Sequence, residues 1–252
     1  MPPVLDLPIY TNNASHDEAS NNGIVAYKQF KEVYELDKVQ RQSGEEQQRF
    51  REILFRLRDG DSSFDDWKIL SKRFDKNLNQ VERDRFKDAV FILTKWEEVD
   101  KDNNEMLRNL NRPIAKISAV HTGGKEAKRA NSDVAKGLEA QILLAKGCRV
   151  ILTSNLWTEA GLVNGSMGIV QDILFKEQGS PALPTAVFVK FEKYNGLTIR
   201  DHEGNEVVLI VPIKRSWENK NGMTCSRLQI PLCLAWAVTV HKSQGLTLKK
   251  PK

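Results

Sequence analysis

Through about residue 23 the chain carries three prolines and the polar run TNNASHDEASNNG, with no apolar period, which predicts an irregular segment over 1–23. From there Ile24, Tyr27, Phe30, Val33 and Tyr34 recur at helical spacing. A second helical stripe runs through Phe50, Ile53, Leu54 and Leu57. Ser43 and Glu46 are spaced for a capping box before it, and Gly60 is placed to stop it. Ser63 opens a third predicted helix that carries Trp67 and Leu70. The period then changes. AVFILT, 89–94, is a short unbroken apolar run suited to a fully buried strand. Thr94 and Glu97 form another capping-box pair, ahead of a helix through about Leu110, and PIAKISAVH, 113–121, reads as a strand. Strand, capped helix, strand predicts a parallel α/β layer.

TGGKEAKRANSDVAKG is polar and basic and predicts a loop. Beyond about residue 140 the runs CRVILT, MGIVQDILF, TAVFVKF and VVLIVPI come one after another, separated by Gly, Asn and Pro. That rhythm predicts a small barrel or curled sheet. A last apolar run, 232–240, predicts a buried strand ending in a polar turn.

Composition narrows the class. At 252 residues, 40% hydrophobic and 28% charged, the chain fits one large or two modest globular domains. Its net charge of +5 allows a polyanionic partner without requiring one. No apolar run approaches the ~18–20 residues of a membrane span, and MPPVLDLPIY lacks the pattern of a secretory signal. Cys148, Cys225 and Cys233 are odd in number, with no CxxC and no paired His. This argues against a disulfide framework and against a metal site, and fits buried thiols in a reducing compartment.

The densest chemistry is Thr239-Val240-His241-Lys242-Ser243-Gln244-Gly245-Leu246-Thr247. Ligands of open α/β sheets sit at the carboxyl ends of strands. Hydroxyls, an amide, a cation and a glycine there suit phosphate oxygens, although a plain helix-capping turn has the same residues. Asn164-Gly165 is a turn signal that places Asn164 as a turn residue or a DNA contact. Trp157 fits either a plug for a barrel core or a platform for a base. Lys125, Lys128 and Arg129 make a small basic loop, either solvated or in contact with phosphate.

IPLCLAWAVTVHKSQGLTL resembles LPLxxAxAxTxHKSQGxTL, motif V of the PIF/RecD-like 5′-to-3′ DNA helicases of superfamily one. Other segments match in the same order: MPPV resembles the end of motif III, and ELDKVQRQSGEEQQRFREILFRLRDGDSSFDDWKIL the stretch around motif IV. LEAQILLAKGCRVILTSNLWTEAGLVNGSMGIV resembles the family's entry into an inserted SH3-like domain. The motif IV stretch is especially similar to helicases of Helitron-type transposons and their eukaryotic PIF-like relatives. The resemblance implies an α/β fold: a second RecA-like helicase domain of P-loop NTPase type at 24–139 plus 229–252, interrupted by a small SH3-like β-barrel insertion at 140–228.

It further implies ATP-driven translocation on single-stranded DNA and duplex unwinding. Arg41 would approach the γ-phosphate as the catalytic arginine. Gln42, Gln244 and Gly245 would face the nucleotide, and Thr239, His241, Lys242 and Ser243 the single-stranded DNA. Partners implied are single-stranded DNA or a fork, and a first RecA-like domain; no membrane partner is implied. ATP and Mg²⁺ belong to the complete enzyme. No G-x-x-x-x-G-K-[ST] occurs: the Gly124-Lys125 step is followed by Glu126 and has Ala119 where the first Gly belongs. No paired-acid Walker B strand is evident either. The motif order therefore places the chain between the end of motif III and motif V, without the P-loop domain or motif VI. It is expected to be inactive alone and to bind no nucleotide tightly. The alternatives are a non-catalytic single-stranded DNA or protein interaction module derived from a transposon helicase, and an incomplete gene model. The family points to the nucleus or the mitochondrion.

Overall fold

A computed structural model describes residues 18–35, 39, 44–176, 182–219, 222–244 and 246. Arg41, Gln42, Ser43, Gly245 and Thr247 lie outside the described residues. The chain divides into two units, 1–78 and 79–252, a boundary that falls inside the segment expected to form one domain with its start at residue 24.

The first unit is helical. α1 spans Glu18–Tyr27, so the helix begins before the expected boundary at Ile24, and Phe30, Val33 and Tyr34 lie beyond its end, exposed. α2, Gln48–Asp59, buries Ile53, while Phe50 and Leu57 stay largely exposed. Gly60 ends it as expected. At φ 86 it adopts the left-handed conformation that L side chains avoid, and its N–H donates to the Arg56 carbonyl. No side chain caps the start of α2. α3, Phe64–Ser71, opens at Ser63 with a reciprocal capping box to Asp66. Asp66 is buried and accepts two hydrogen bonds from the Arg56 guanidinium, at 2.7 and 2.8 Å, tying α3 to α2.

The second unit is α/β. α4, Gln80–Asp84, is capped by Asn79 and leads to β1, Phe91–Leu93. α5, Trp96–Asn109, has no side-chain cap, contrary to the Thr94–Glu97 box, because its N-cap is Lys95. Its buried face is Val99, Asn103 and Leu107, spaced four apart. The expected strand at 113–121 is two strands, β2 Ala115–Ser118 and β3 Val120–Thr122. The expected basic loop contains a short helix, α6, Gly124–Arg129. After it come β4 Gln141–Leu144, β5 Arg149–Leu152, β6 Met167–Leu174, β7 Ala186–Phe191, β8 Ile199–Arg200 and β9 Glu206–Ile210. The last elements are β10 Ile213–Glu218, β11 Thr224–Gln229, β12 Leu232–Leu234, β13 Ala237–Thr239 and α7 Val240–Ser243.

Strand pairing departs from the expected parallel layer. β1 pairs in parallel with β13, far along the chain, and not with β2, which runs antiparallel to β4. β1 is also not fully buried: Phe91 and Ile92 are about half exposed, because among the described residues only β13 pairs with it. The β runs after 140 form a six-stranded sheet in the order β12-β5-β6-β7-β9-β8. Its two end strands do not pair with each other, so no closed barrel forms among the described residues. Its inner residues, including Val150, Leu152, Val170, Val187, Val189 and Ile210, make the main core, with Leu107 and Ile117 packed in. Strand pairs also cross the expected insertion boundaries: β11 joins β3, and β12 joins β5. The apolar run 232–240 is not one strand. β12 and β13 are separate, and the expected polar turn after them is the single helical turn α7.

Candidate nucleic-acid interface

The parallel pairing registers Leu93 against Thr239, so the chain leaves β1 and β13 at the same sheet edge. From β1 the chain passes through Thr94 and Lys95 into the first turn of α5, and from β13 it enters α7 directly. This edge is the place where open α/β sheets put their ligands. Helix α5 fixes the start of β13 through one buried amide. Asn103 Oδ1 accepts the N–H of Trp236 (3.0 Å) and of Ala237 (2.9 Å), and its Nδ2 donates to the Ala237 carbonyl (2.9 Å). The Phe91 N–H donates to the Trp236 carbonyl at 2.8 Å, which sets the ladder.

Of the residues expected to face DNA, Thr239 is buried, and its hydroxyl accepts the Lys242 N–H at 3.2 Å as the N-cap of α7. The Ser243 hydroxyl donates to the Val240 carbonyl at 2.7 Å. His241 and Gln244 are exposed. Lys242 is half-buried: its ammonium lies 4.5 Å from the centroid of the Trp96 ring, 3.9 Å from Glu139 Oε1 and 4.0 Å from Cys233 Sγ. Burial pushes the Cys233 thiol up, against a smaller downward pull from Lys242, and pushes Cys148 up to about 12. Both are poor nucleophiles.

Asn164 and Gly165 form the centre of a β-turn in which the Ser166 N–H donates to the Val163 carbonyl at 2.9 Å, with Gly165 at φ 96. A side chain on Gly165 would collide with Leu246, so this turn abuts the chain just after α7. Asn164 itself is exposed, with its N–H held by Asn155 Oδ1 at 2.7 Å. Trp157 does not plug a core. It is 46% exposed, and its backbone forms an isolated bridge to Leu162. Lys125, Lys128 and Arg129 are exposed on α6, which packs on β3 and β11.

α6 rests on a residue that no motif singles out. Arg227 is fully buried and faces no carboxylate within bonding distance among the described residues. It donates to the carbonyls of Leu138 (2.7 Å), Ala127 (3.0 Å) and Ala130 (2.7 Å), and stacks 5.8 Å from the Trp217 ring. Its Nε also donates to His121 Nδ1 at 3.4 Å, and burial together with the Arg227 charge lowers the His121 pKa.

The same region decides whether the glycine-lysine step can hold a nucleotide phosphate. Gly123 caps α6, but a Cβ there would press on Cys225 Sγ and backbone at 2.7 and 3.0 Å, so the glycine serves packing against β11. The step itself, Gly124-Lys125, opens the six-residue α6 with Glu126 in its first turn and has Ala119 where the first Gly of a phosphate loop belongs, so it does not match a phosphate cradle. No group of three or more His, Cys, Asp or Glu able to hold a metal exists among the described residues, and no described helix is long and apolar enough to cross a membrane.

The structure thus provides an α/β unit with a Thr-His-Lys-Ser-Gln segment at the carboxyl edge of parallel strands. Comparison with known proteins identifies its family. The chain is 30% identical over 244 residues to the ATP-dependent DNA helicase PIF1 of Xenopus laevis, covering 97% of this chain and 34% of that protein. A crystal structure of the Candida albicans Pif1 helicase superimposes with a TM-score of 0.58 at 25% identity, covering 84% of this chain and 48% of the other. Bacteroides Pif1 bound to single-stranded DNA shares the fold, with a TM-score of 0.52 at 23% identity, covering 83% of this chain and 42% of that one. No protein-family model matches the chain. The chain belongs to the PIF1-like helicases and spans about a third of the length of the Xenopus relative.

Proposed function

We propose that this chain supplies the second RecA-like portion of an ATP-dependent 5′-to-3′ DNA helicase, with the β-rich sheet as the family's SH3-like insertion, and that its contribution is to grip single-stranded DNA. The supporting observation is the position of residues 239–244 at the shared carboxyl edge of β1 and β13, in a chain similar to PIF1 along 97% of its length. On this reading His241 and Lys242 approach the DNA backbone. Thr239 and Ser243 act by shaping α7, since their hydroxyls are already engaged within it. Gln244, with Gly245, turns toward the nucleotide side, and Arg41 with Gln42 reaches the γ-phosphate from motif IV. The partner at that cleft is a first RecA-like domain that holds ATP and Mg²⁺. The setting is intracellular and reducing, in nucleus or mitochondrion.

Hydrolysis by this chain alone is not expected. Its one Gly-Lys step, Gly124-Lys125, is followed by Glu126 and has Ala119 where a phosphate loop needs its first Gly. The same observation favours the second reading, a non-catalytic single-stranded DNA-binding module derived from a transposon helicase.

Two assays on the purified chain test these readings. Fluorescence anisotropy with labelled oligo-dT at low salt should show binding that weakens linearly in log salt. Phosphate release with and without oligo-dT should show no turnover above a His241→Ala, Lys242→Ala double variant. Absence of DNA binding at low salt would overturn the DNA reading, and turnover above the double variant would overturn the inactivity.

A further inference from the structure

Beside α7 opens a cleft of about 560 Å³ whose walls are unlike a phosphate site. Its floor is apolar, including Val99, Ile142 and Leu234, and its polar lining includes Asn104, Asn131 and Gln141. Asp100, Asp133 and Glu139 also line it, against one cation, Lys242. Three carboxylates repel a phosphodiester, so of a bound DNA strand this cleft can take only the uncharged part. Carboxylates and amides are the groups that accept and donate to base edges. Trp96 stands at this cleft, 46% exposed, at the first position of α5 on the carboxyl edge of β1. A half-exposed indole over a cavity of this size offers a face for a planar ring.

We propose that this cleft is a nucleobase pocket in which Trp96 stacks on one base of bound single-stranded DNA, with the phosphates running outside along His241 and Lys242. Lys242, 4.5 Å from the Trp96 ring centroid and 3.9 Å from Glu139, joins the two parts: it steadies the indole and marks where backbone gives way to base. The inference rests on the DNA reading and names the part of the ligand that this cleft takes.

The test compares binding of oligo-dT with that of an abasic deoxyribose-phosphate oligomer of equal length, for the wild-type chain, Trp96→Ala and Trp96→Phe, across a salt series. Stacking is worth about 5- to 150-fold in affinity per base. Trp96→Ala should weaken oligo-dT binding by a factor in that range and leave the salt slope unchanged, because no phosphate contact is lost. Trp96→Phe should restore most of the loss, and abasic binding should not change. Three outcomes overturn the pocket while leaving the DNA reading intact: a wild-type chain that binds both oligomers equally, a neutral Trp96→Ala, or an equal loss on the abasic oligomer. A wild-type chain that binds neither oligomer overturns both.

Discussion

The Lys242 ammonium lies 4.5 Å from the centre of the Trp96 ring because β1 and β13, distant in sequence, run side by side in parallel. With Leu93 registered to Thr239, the segments just beyond the two strands emerge together. The cation of motif V and the first residue of α5 thus form one surface. Lys242 is not a free surface lysine waiting for phosphate, since Trp96 and Glu139 already hold it in place.

On the proposed reading Lys242 meets one phosphate from that position. Replacing it by Ala should reduce the slope of log K against log salt for oligo-dT by about 0.7, the value of one single-strand phosphate contact. The fold should be little affected, because a partly exposed cation–π contact contributes only about 0.5–2 kcal/mol. An unchanged slope would mean that Lys242 serves Trp96 and Glu139 alone.

Arg227 should matter for stability more than any surface arginine. Its guanidinium satisfies the carbonyls of Ala127, Ala130 and Leu138 in a fully buried site. Lysine cannot reproduce that fork. Arg227→Lys should cost about 3 kcal/mol by urea unfolding, since buried carbonyls are left without donors. A cost below about 1 kcal/mol, the size of a neutral surface change, would show that water or a shift of α6 replaces the fork.

Asn103 is the tie between α5 and motif V. Asn103→Ala removes three buried hydrogen bonds to Trp236 and Ala237 and should destabilise the chain by about 2–3 kcal/mol. Hydrogen exchange should quicken at the amides of Trp236 and Ala237, and should stay unchanged at Val187 and Val189 in the core of the larger sheet. Uniform acceleration across both regions would contradict a local role.

Acid should loosen the first unit through Asp66. The hydrogen bonds from Arg56, and then from the Ser63 backbone, hold its carboxyl well below its ordinary value of 3.8. A carboxylate with a lowered folded pKa stabilises the fold above its unfolded pKa, and that contribution is lost as pH falls through the folded value. The stability gap between wild type and Asp66→Asn should therefore be full near neutrality and shrink as pH falls below about 4. Urea midpoints measured across that range check it; a pH-independent gap would contradict the ion pair.

Much of this was legible in the chain. Gly60 and Ser63 mark helix ends by local chemistry alone, and the structure places both accordingly. The β runs after residue 140 emerged as strands because each carries its own apolar pattern. The partner of β1 was not legible: a three-residue strand says nothing about which distant strand it joins, and β13 lies beyond nearly all the others. The exposure of Phe91 and Ile92 stems from that pairing, not from their apolar character. Asn103 did leave a signal, a polar residue inside the stripe of Val99 and Leu107. Arg227 left none, because a buried arginine reads as an exposed one until its carbonyl partners are assembled. At the site itself, His241 through Gln244 were readable as a motif, whereas Trp96 and Glu139 joined them only through the fold.

Photocrosslinking tests the proposed DNA surface most directly. With 4-thiothymidine placed along oligo-dT, irradiation of the bound chain and mass spectrometry of the digest should yield crosslinks in the peptides that contain Trp96 and His241. Crosslinks confined to other peptides, with both of these unmodified, would contradict the claim that the shared edge of β1 and β13 receives the strand.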